Sequence, residues 1–242
     1  SATSRFVSFA MRELGEPPVP FAFMALGSQA RREQTLFTDQ DNAIVYSDPP
    51  AGMEKKAAEY FQEMGKKACA WLAEAGYPLC KGSSMANNPK WCRPISAWKN
   101  YFDEWAAVTD PQHLLEINVF FDFRCVAGEP ALETELREYA VKAVSGKSIF
   151  FLNLANNALQ FRVPVNFRGA VTVDDEGEFK GTFDVKQLIR VITDFARIYA
   201  LRAGVTALPT VSRLAALAEA NVLDGSEKES FSQAFESLMR LR

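Results

Sequence analysis

Gly27-Ser28-Gln29-Ala30-Arg31-Arg32-Glu33-Gln34-Thr35-Leu36-Phe37-Thr38-Asp39-Gln40-Asp41 is the stretch around which the chain is organised. An apolar run, Phe21 to Leu26, leads into it, and a second, Ala43 to Tyr46, leaves it. The order predicts strand, glycine turn, short polar helix, acidic loop and strand. In extended backbone, side chains two apart share a face, so Asp39 and Asp41 point the same way and can serve one site. Paired carboxylates at the mouth of a sheet suit a hard divalent cation such as Mg²⁺, which prefers oxygen ligands and keeps part of its water. Gly27 lets backbone approach a ligand closely, and the helix start with the Ser28 hydroxyl offers donors to a phosphate. Taken without any relative, Asp39 and Asp41 read equally well as solvated turn acids.

Working outward, Arg5 to Leu14 carries Phe6, Phe9 and Ala10 at helical spacing, and Pro17-Pro18 with Pro20 stops it. A long helix is expected where Met53, Ala57, Tyr60, Phe61, Met64, Ala68, Trp71, Leu72 and Ala75 recur, closed by Gly76. Tyr77 to Asn88 reads as a loop, either a plain connection or a lip of the site. Pro94 should start another helix, with Ile95, Trp98, Phe102 and Trp105 as its core stripe.

Leu114 to Phe123 is the strongest strand candidate, with Glu116, Asn118, Phe120 and Asp122 on one face. An aspartate inside such an apolar strand must be paired or bind a metal, so Asp122 is the third candidate carboxylate. The competing reading is a salt bridge to Arg124 or another basic residue.

The second half reads as helices at Glu129 to Val144 and Ile149 to Phe161, a small hairpin at Val171 to Phe183, and three closing helices. In the first closing helix Val185, Leu188, Ile189, Ile192, Phe195, Ala196 and Tyr199 form the core stripe. Lys186, Arg190, Asp194 and Arg197 line another face that is expected to be solvated unless it meets a cleft. Thr210 is expected to cap the second helix, and Ser226 with Glu229 to box the third. A boundary near Ser145 divides the chain into domains 1–145 and 146–242.

Composition narrows the function. With 48% hydrophobic residues in 242, a real core is available and disorder is excluded. A net charge of −3 without blocks of like charge argues against general nucleic-acid binding. No apolar run approaches the roughly 20 residues of a membrane span, and no signal-peptide pattern opens the chain, so a soluble cytoplasmic protein is expected. The Ser1 start inside a helix-like segment suggests a piece of a longer protein. Cys69, Cys80, Cys92 and Cys125 lack zinc-site spacing and read as free thiols. His113, the single histidine, is expected at a turn or strand edge, which leaves little room for a serine triad or a histidine metal site. P-loop and GxGxxG patterns are absent, and an EF-hand would require glycine where Ile44 stands.

The run Leu26 to Tyr46, LGSQARREQTLFTDQDNAIVY, resembles the nucleotidyltransferase-like domain found beside CBS and cyclic-nucleotide-binding domains in bacterial signalling proteins. That domain is a relative of the protein-PII uridylyltransferases within the DNA polymerase beta nucleotidyltransferase superfamily. Gly82 to Pro89 with Trp91, Trp98 and Trp105, then Phe120 to Arg124, are similar to the same family. Asp184-Val185-Lys186, Arg197 and Thr210 to Leu214 resemble its helical substrate-binding part. The resemblance implies an α/β (α+β) fold, a mixed sheet with flanking helices, followed by a mainly helical C-terminal domain. It implies transfer of a nucleoside monophosphate from an NTP to an acceptor, such as a regulatory protein. Asp39, Asp41 and Asp122 would hold one or two Mg²⁺ (Mn²⁺ as substitute), and Asp122 would help deprotonate the acceptor. Gly27, Ser28, Arg31, Arg32, Lys186 and Arg197 would bind the nucleotide. Regulatory domains would lie outside this chain. The uridylyltransferases usually have Arg-Gly where this chain has Arg31-Arg32. The alternative is a non-catalytic nucleotide-sensing or interaction module.

Overall fold

Phe21–Leu26 is apolar at every position and buried at every position, as a strand covered on both faces must be. In the computed structural model, which describes residues 1–35, 38–107, 118–160 and 184–242, it is β1, one of the two inner strands of a four-stranded sheet. The sheet order is β3-β2-β1-β4, with β2 Asn42–Tyr46, β3 Cys92–Pro94 and β4 Phe123–Gly128. β1 runs antiparallel to both β2 and β4, while β2 and β3 are parallel. The β1/β2 register sets Phe21 opposite Tyr46 and Phe23 opposite Ile44. Those four side chains share a face, and they form one core with Val7 and Ala10 of helix α1 (Ala2–Leu14) and Ala57, Phe61, Met64 and Ala68 of α3 (Glu54–Glu74). Tyr46 and Phe61 stack at 4.5 Å. Between β1 and β2 lies the five-residue α2, Gly27–Arg31.

Helices α4 (Ile95–Ala107) and α5 (Pro130–Val144) pack on one another and against the sheet. Ile95, Trp98, Phe102 and Trp105 are buried as their spacing predicts, and the Trp98 indole donates to the Ile44 carbonyl at 3.1 Å. Pro94 does not open α4; it ends β3, which follows a 3₁₀ turn at Pro89–Trp91.

The strand expected over Leu114 to Phe123 is displaced. Asn118–Phe121 forms a 3₁₀ turn and β4 begins at Phe123; Leu114 to Ile117 lie outside the described residues. Phe120 and Phe121 are both buried although adjacent, which a half-covered alternating strand does not allow. Asp122 therefore sits at the entrance of β4 rather than inside a strand.

Chain contacts divide the described residues into two units, 1–107 with 118–145, and 146–160 with 184–242. The second is helical: α6 Ser148–Leu159, α7 Val185–Arg202, α8 Thr210–Glu219 and α9 Gly225–Leu241. Ile189, Ile192 and Ala196 of α7 meet Leu214, Leu217, Leu223 and Phe235 in its core. Tyr199, assigned to that stripe, is 39% exposed. The opposite face is only partly the solvated one expected: Lys186 is exposed and Arg190 half-buried, but Asp194 and Arg197 are 3% and 5% exposed and pair at 2.9 Å. Thr210 is the first residue of α8, after Pro209 at the cap. α9 starts earlier than Ser226 suggests. Asp224 accepts from the Ser226 and Glu227 amides at 2.8 Å, and Glu227 returns a bond from the Asp224 amide. The charged Asp224 is the better partner for those amides, which moves the box from Ser226–Glu229 to Asp224–Glu227. The expected hairpin and His113 lie outside the described residues. No helix among the described residues is long and apolar enough to cross a membrane.

Candidate functional site

Three strand ends build the site. The Leu26 amide, last in β1, donates to the Asp41 carbonyl at 2.9 Å, and the next amide, Gly27, donates to the Asp122 carbonyl at 2.8 Å. Asp41 before β2, Gly27 after β1 and Asp122 before β4 thus stand side by side along one end of the sheet. Gly27 is required there for two reasons. Its φ is +52°, in the left-handed region that side chains disfavour. A Cβ would also lie 2.8 Å from Val119 Cγ2, and 3.8 Å from the Asp41 carboxylate. Ser28, half-buried, follows in the first turn of α2.

The acidic segment is clasped by residues 77–88. Gln40 turns inward, its amide nitrogen donating to the carbonyls of Cys69 (3.1 Å) and Tyr77 (2.9 Å). Its backbone amide bonds the Pro78 carbonyl, and the Asn42 amide bonds Ser84. The Asn42 side chain accepts the Ala86 amide at 2.8 Å. With Gln40 inward, alternation turns Asp39 and Asp41 the other way. Both are half-buried. Asp39 borders a cavity of about 110 Å³ with Gln29, Gln34 and Tyr77. The Cys80 thiol hydrogen-bonds the Asp41 carboxylate, and burial together with that carboxylate pushes the thiol's pKa up. Residues 77–88 are therefore a lip of this end of the sheet, not a plain connection. The four cysteines are free; burial lifts Cys69 to about 11 and Cys92 to about 12, so both stay protonated and inert at neutral pH.

Asp122 is paired, and its partner is Arg31 rather than Arg124. The Arg31 Nη1 lies 2.5 Å from Asp122 Oδ2, and its Nε lies 2.6 Å from Glu33 Oε2. Asp122 is 0% exposed. Burial works against the Arg31 charge, but Asp122 and Glu33 more than offset it, so its pKa rises above the ordinary arginine value. Arg124 instead donates to the carbonyls of Ala30 and Gln29 at 3.0 Å, closing the C-terminal end of α2. Burial, and then the nearby Arg32, pull the Arg124 pKa down.

Residues 1–112 match the family model "Putative nucleotidyltransferase DUF294", and residues 148–242 match "Putative nucleotidyltransferase substrate binding domain". The chain belongs to the DUF294 nucleotidyltransferase family. None of the curated proteins matches it. The first match covers Gly27, the acidic segment and β1 to β3 but ends before Asp122 and β4, and the second covers the described helices of the helical unit.

Within this DUF294 nucleotidyltransferase, the donor set can be weighed for an ion. Among the described residues, no three His, Cys, Asp or Glu side chains gather closely enough to hold one. Asp39 and Asp41, both half-buried, offer hard oxygen donors of the kind that suits a single divalent ion completed by water. The full set of three carboxylates does not fit a shared centre, because the Asp122 carboxylate is enclosed on Arg31. Of the expected nucleotide contacts, Gly27 and Ser28 lie at the strand ends, and the exposed Arg32 caps the C-terminal end of α2. Arg31 is buried against carboxylates. Lys186, exposed, and Arg197, paired with Asp194, belong to the helical unit. Glu33 and Asn42 carry no sequence signal of a site: both are buried polar residues, recognisable only once their long-range or local partners are in place.

Arg32 caps α2 with φ +63°, where the uridylyltransferase pattern has glycine. A side chain pays about 1 kcal/mol or somewhat more for that conformation. Arg32→Gly is expected to raise stability by about that amount in urea denaturation while weakening nucleotide binding, since it removes an exposed cation from the site.

Proposed function

We propose that this DUF294 nucleotidyltransferase moves a nucleoside monophosphate from an NTP to an acceptor with the help of one divalent ion. The observation that carries this reading is the Asp41 carboxylate beside an obligatory glycine at the ends of three adjacent strands. Gly27 leaves room for a phosphate chain to approach the backbone, and Ser28 and Arg32 supply a hydroxyl and a planar fork of donors to it. Bound on Asp39 and Asp41, Mg²⁺ or Mn²⁺ would neutralise charge on the triphosphate. The acceptor oxygen would form a bond to the α-phosphorus, its proton passing to solvent water, as the bond to the bridging oxygen breaks and pyrophosphate departs.

By family resemblance the acceptor is a regulatory protein, as for protein-PII uridylyltransferase, in a cytoplasmic bacterial signalling protein that carries regulatory domains beyond this chain. The experiment is release of pyrophosphate on mixing the chain with each NTP, Mg²⁺ and candidate acceptor proteins. Release that requires both ion and acceptor supports transfer. A second reading, a nucleotide-sensing module without turnover, is favoured by the enclosure of Asp122, which leaves that carboxylate unable to touch an acceptor as the chain stands. Nucleotide binding without pyrophosphate release under any pairing would select it.

A further inference from the structure

The enclosure of Asp122 bears on how many ions the site can take, and this inference rests on the reading of Asp39 and Asp41 as ion ligands. Three observations converge. Asp122 has no exposed surface, whereas Asp39 and Asp41 are both partly open. Its carboxylate is bonded at 2.5 Å to a guanidinium that Glu33 grips from a second nitrogen, so Arg31 is held by two anions from different parts of the chain. Among the described residues, the carboxylates at the strand ends do not gather into a three-ligand cluster. A buried ion pair with fixed fork geometry is costly to open, because either charge left alone in the interior is uncompensated.

We infer that Arg31 supplies, as a built-in side chain, the positive charge against Asp122 that a second ion would otherwise supply, so that the site takes one divalent ion with its nucleotide. Asp122 and Glu33 are then positioning residues for Arg31 and not ion ligands. Arg31 carries one positive charge against the two negative charges of Asp122 and Glu33, so the cluster is closed on itself on the β4 side of Gly27, and Asp39 and Asp41 are left for one exchangeable ion on the β2 side.

Counting Mn²⁺ bound to the full chain, by equilibrium binding with electron paramagnetic resonance of free Mn²⁺, tests this in the presence of a saturating non-hydrolysable NTP analogue. Mn²⁺ held by the analogue alone is subtracted using an Asp39→Asn/Asp41→Asn control. One ion per chain is expected for the wild type. Asp122→Asn should still bind one ion, because Arg31 stays gripped by Glu33; the number of ions, not the affinity, is the readout. Two ions in the wild type would overturn the inference while leaving the Asp39–Asp41 reading intact, as would loss of an ion in Asp122→Asn. No ion in the wild type would overturn both. Should Asp122→Asn fail to fold, as judged by circular dichroism, the wild-type count decides alone.

Discussion

Gly65→Ala is expected to destabilise the sheet-containing unit by about 2–4 kcal/mol, the sum of an overpacked core contact and a strained buried hydrogen bond. Helix propensity alone points the other way, because glycine inside α3 should cost about 1 kcal/mol relative to alanine. The neighbour decides. A Cβ on Gly65 would lie 2.2 Å from the Ala86 carbonyl oxygen and 2.7 Å from its carbon. Those are backbone atoms, which cannot rotate aside as a side-chain end can. Ala86 is in turn fixed by its amide on the Asn42 side chain, one residue from Asp41. Room for the methyl group can come only by lifting residues 84–86 from Asn42. Urea denaturation should show the loss, and the variant should also lose its stabilisation by nucleotide. A neutral or stabilising result would mean that residues 77–88 do not clasp the acidic segment.

Asp39→Asn/Asp41→Asn is expected to weaken binding of Mg²⁺-nucleotide by more than about a hundredfold, since even outer partners of metal ligands are worth 10–100-fold. Amides preserve the shape and most hydrogen bonds of the carboxylates. The Asp41 carbonyl that accepts the Leu26 amide is main chain and is untouched. The Cys80 thiol keeps an acceptor oxygen in an asparagine. Stability without ligand should therefore stay within about 0.5 kcal/mol of the wild type, as for surface changes away from buried networks. Titration calorimetry with Mg²⁺ and NTP measures the affinity. Affinity retained in the double variant would remove the acidic pair from the site, whereas a large loss of stability would show that the carboxylates serve the fold.

Much of the architecture is legible in the sequence because its signals are local. Phe21 to Leu26 and Ala43 to Tyr46 announce inner strands by their unbroken apolarity, Gly27 marks the turn between them, and the repeat from Met53 to Ala75 gives α3 almost to the residue. The misread elements are those in which a distant partner decides. The alternating pattern up to Phe123 looks like a strand until Phe120 and Phe121 both find the core beside Trp91 and Phe102, which curls the chain into a 3₁₀ turn. Asp122 was expected to be paired or to bind a metal, but no local rule could choose Arg31, 91 residues earlier, over the adjacent Arg124. Arg32 in a left-handed cap has no signal of its own; only the glycine of related sequences hints at it. Asp194 and Arg197 look like a solvated pair on one helix, and become interior only when α7 is packed on more than one side.

Thermal unfolding of the full chain with each NTP, with and without Mg²⁺, tests the central claim most directly. A nucleotide at a hundredfold excess over its dissociation constant should stabilise the folded state by about 2.7 kcal/mol if it binds only that state. The expected result is a clear rise in melting temperature with at least one NTP that depends on Mg²⁺ and disappears in Asp39→Asn/Asp41→Asn. No shift with any nucleotide, or a shift indifferent to both the ion and the acidic pair, would contradict a metal-assisted nucleotide site at the strand ends.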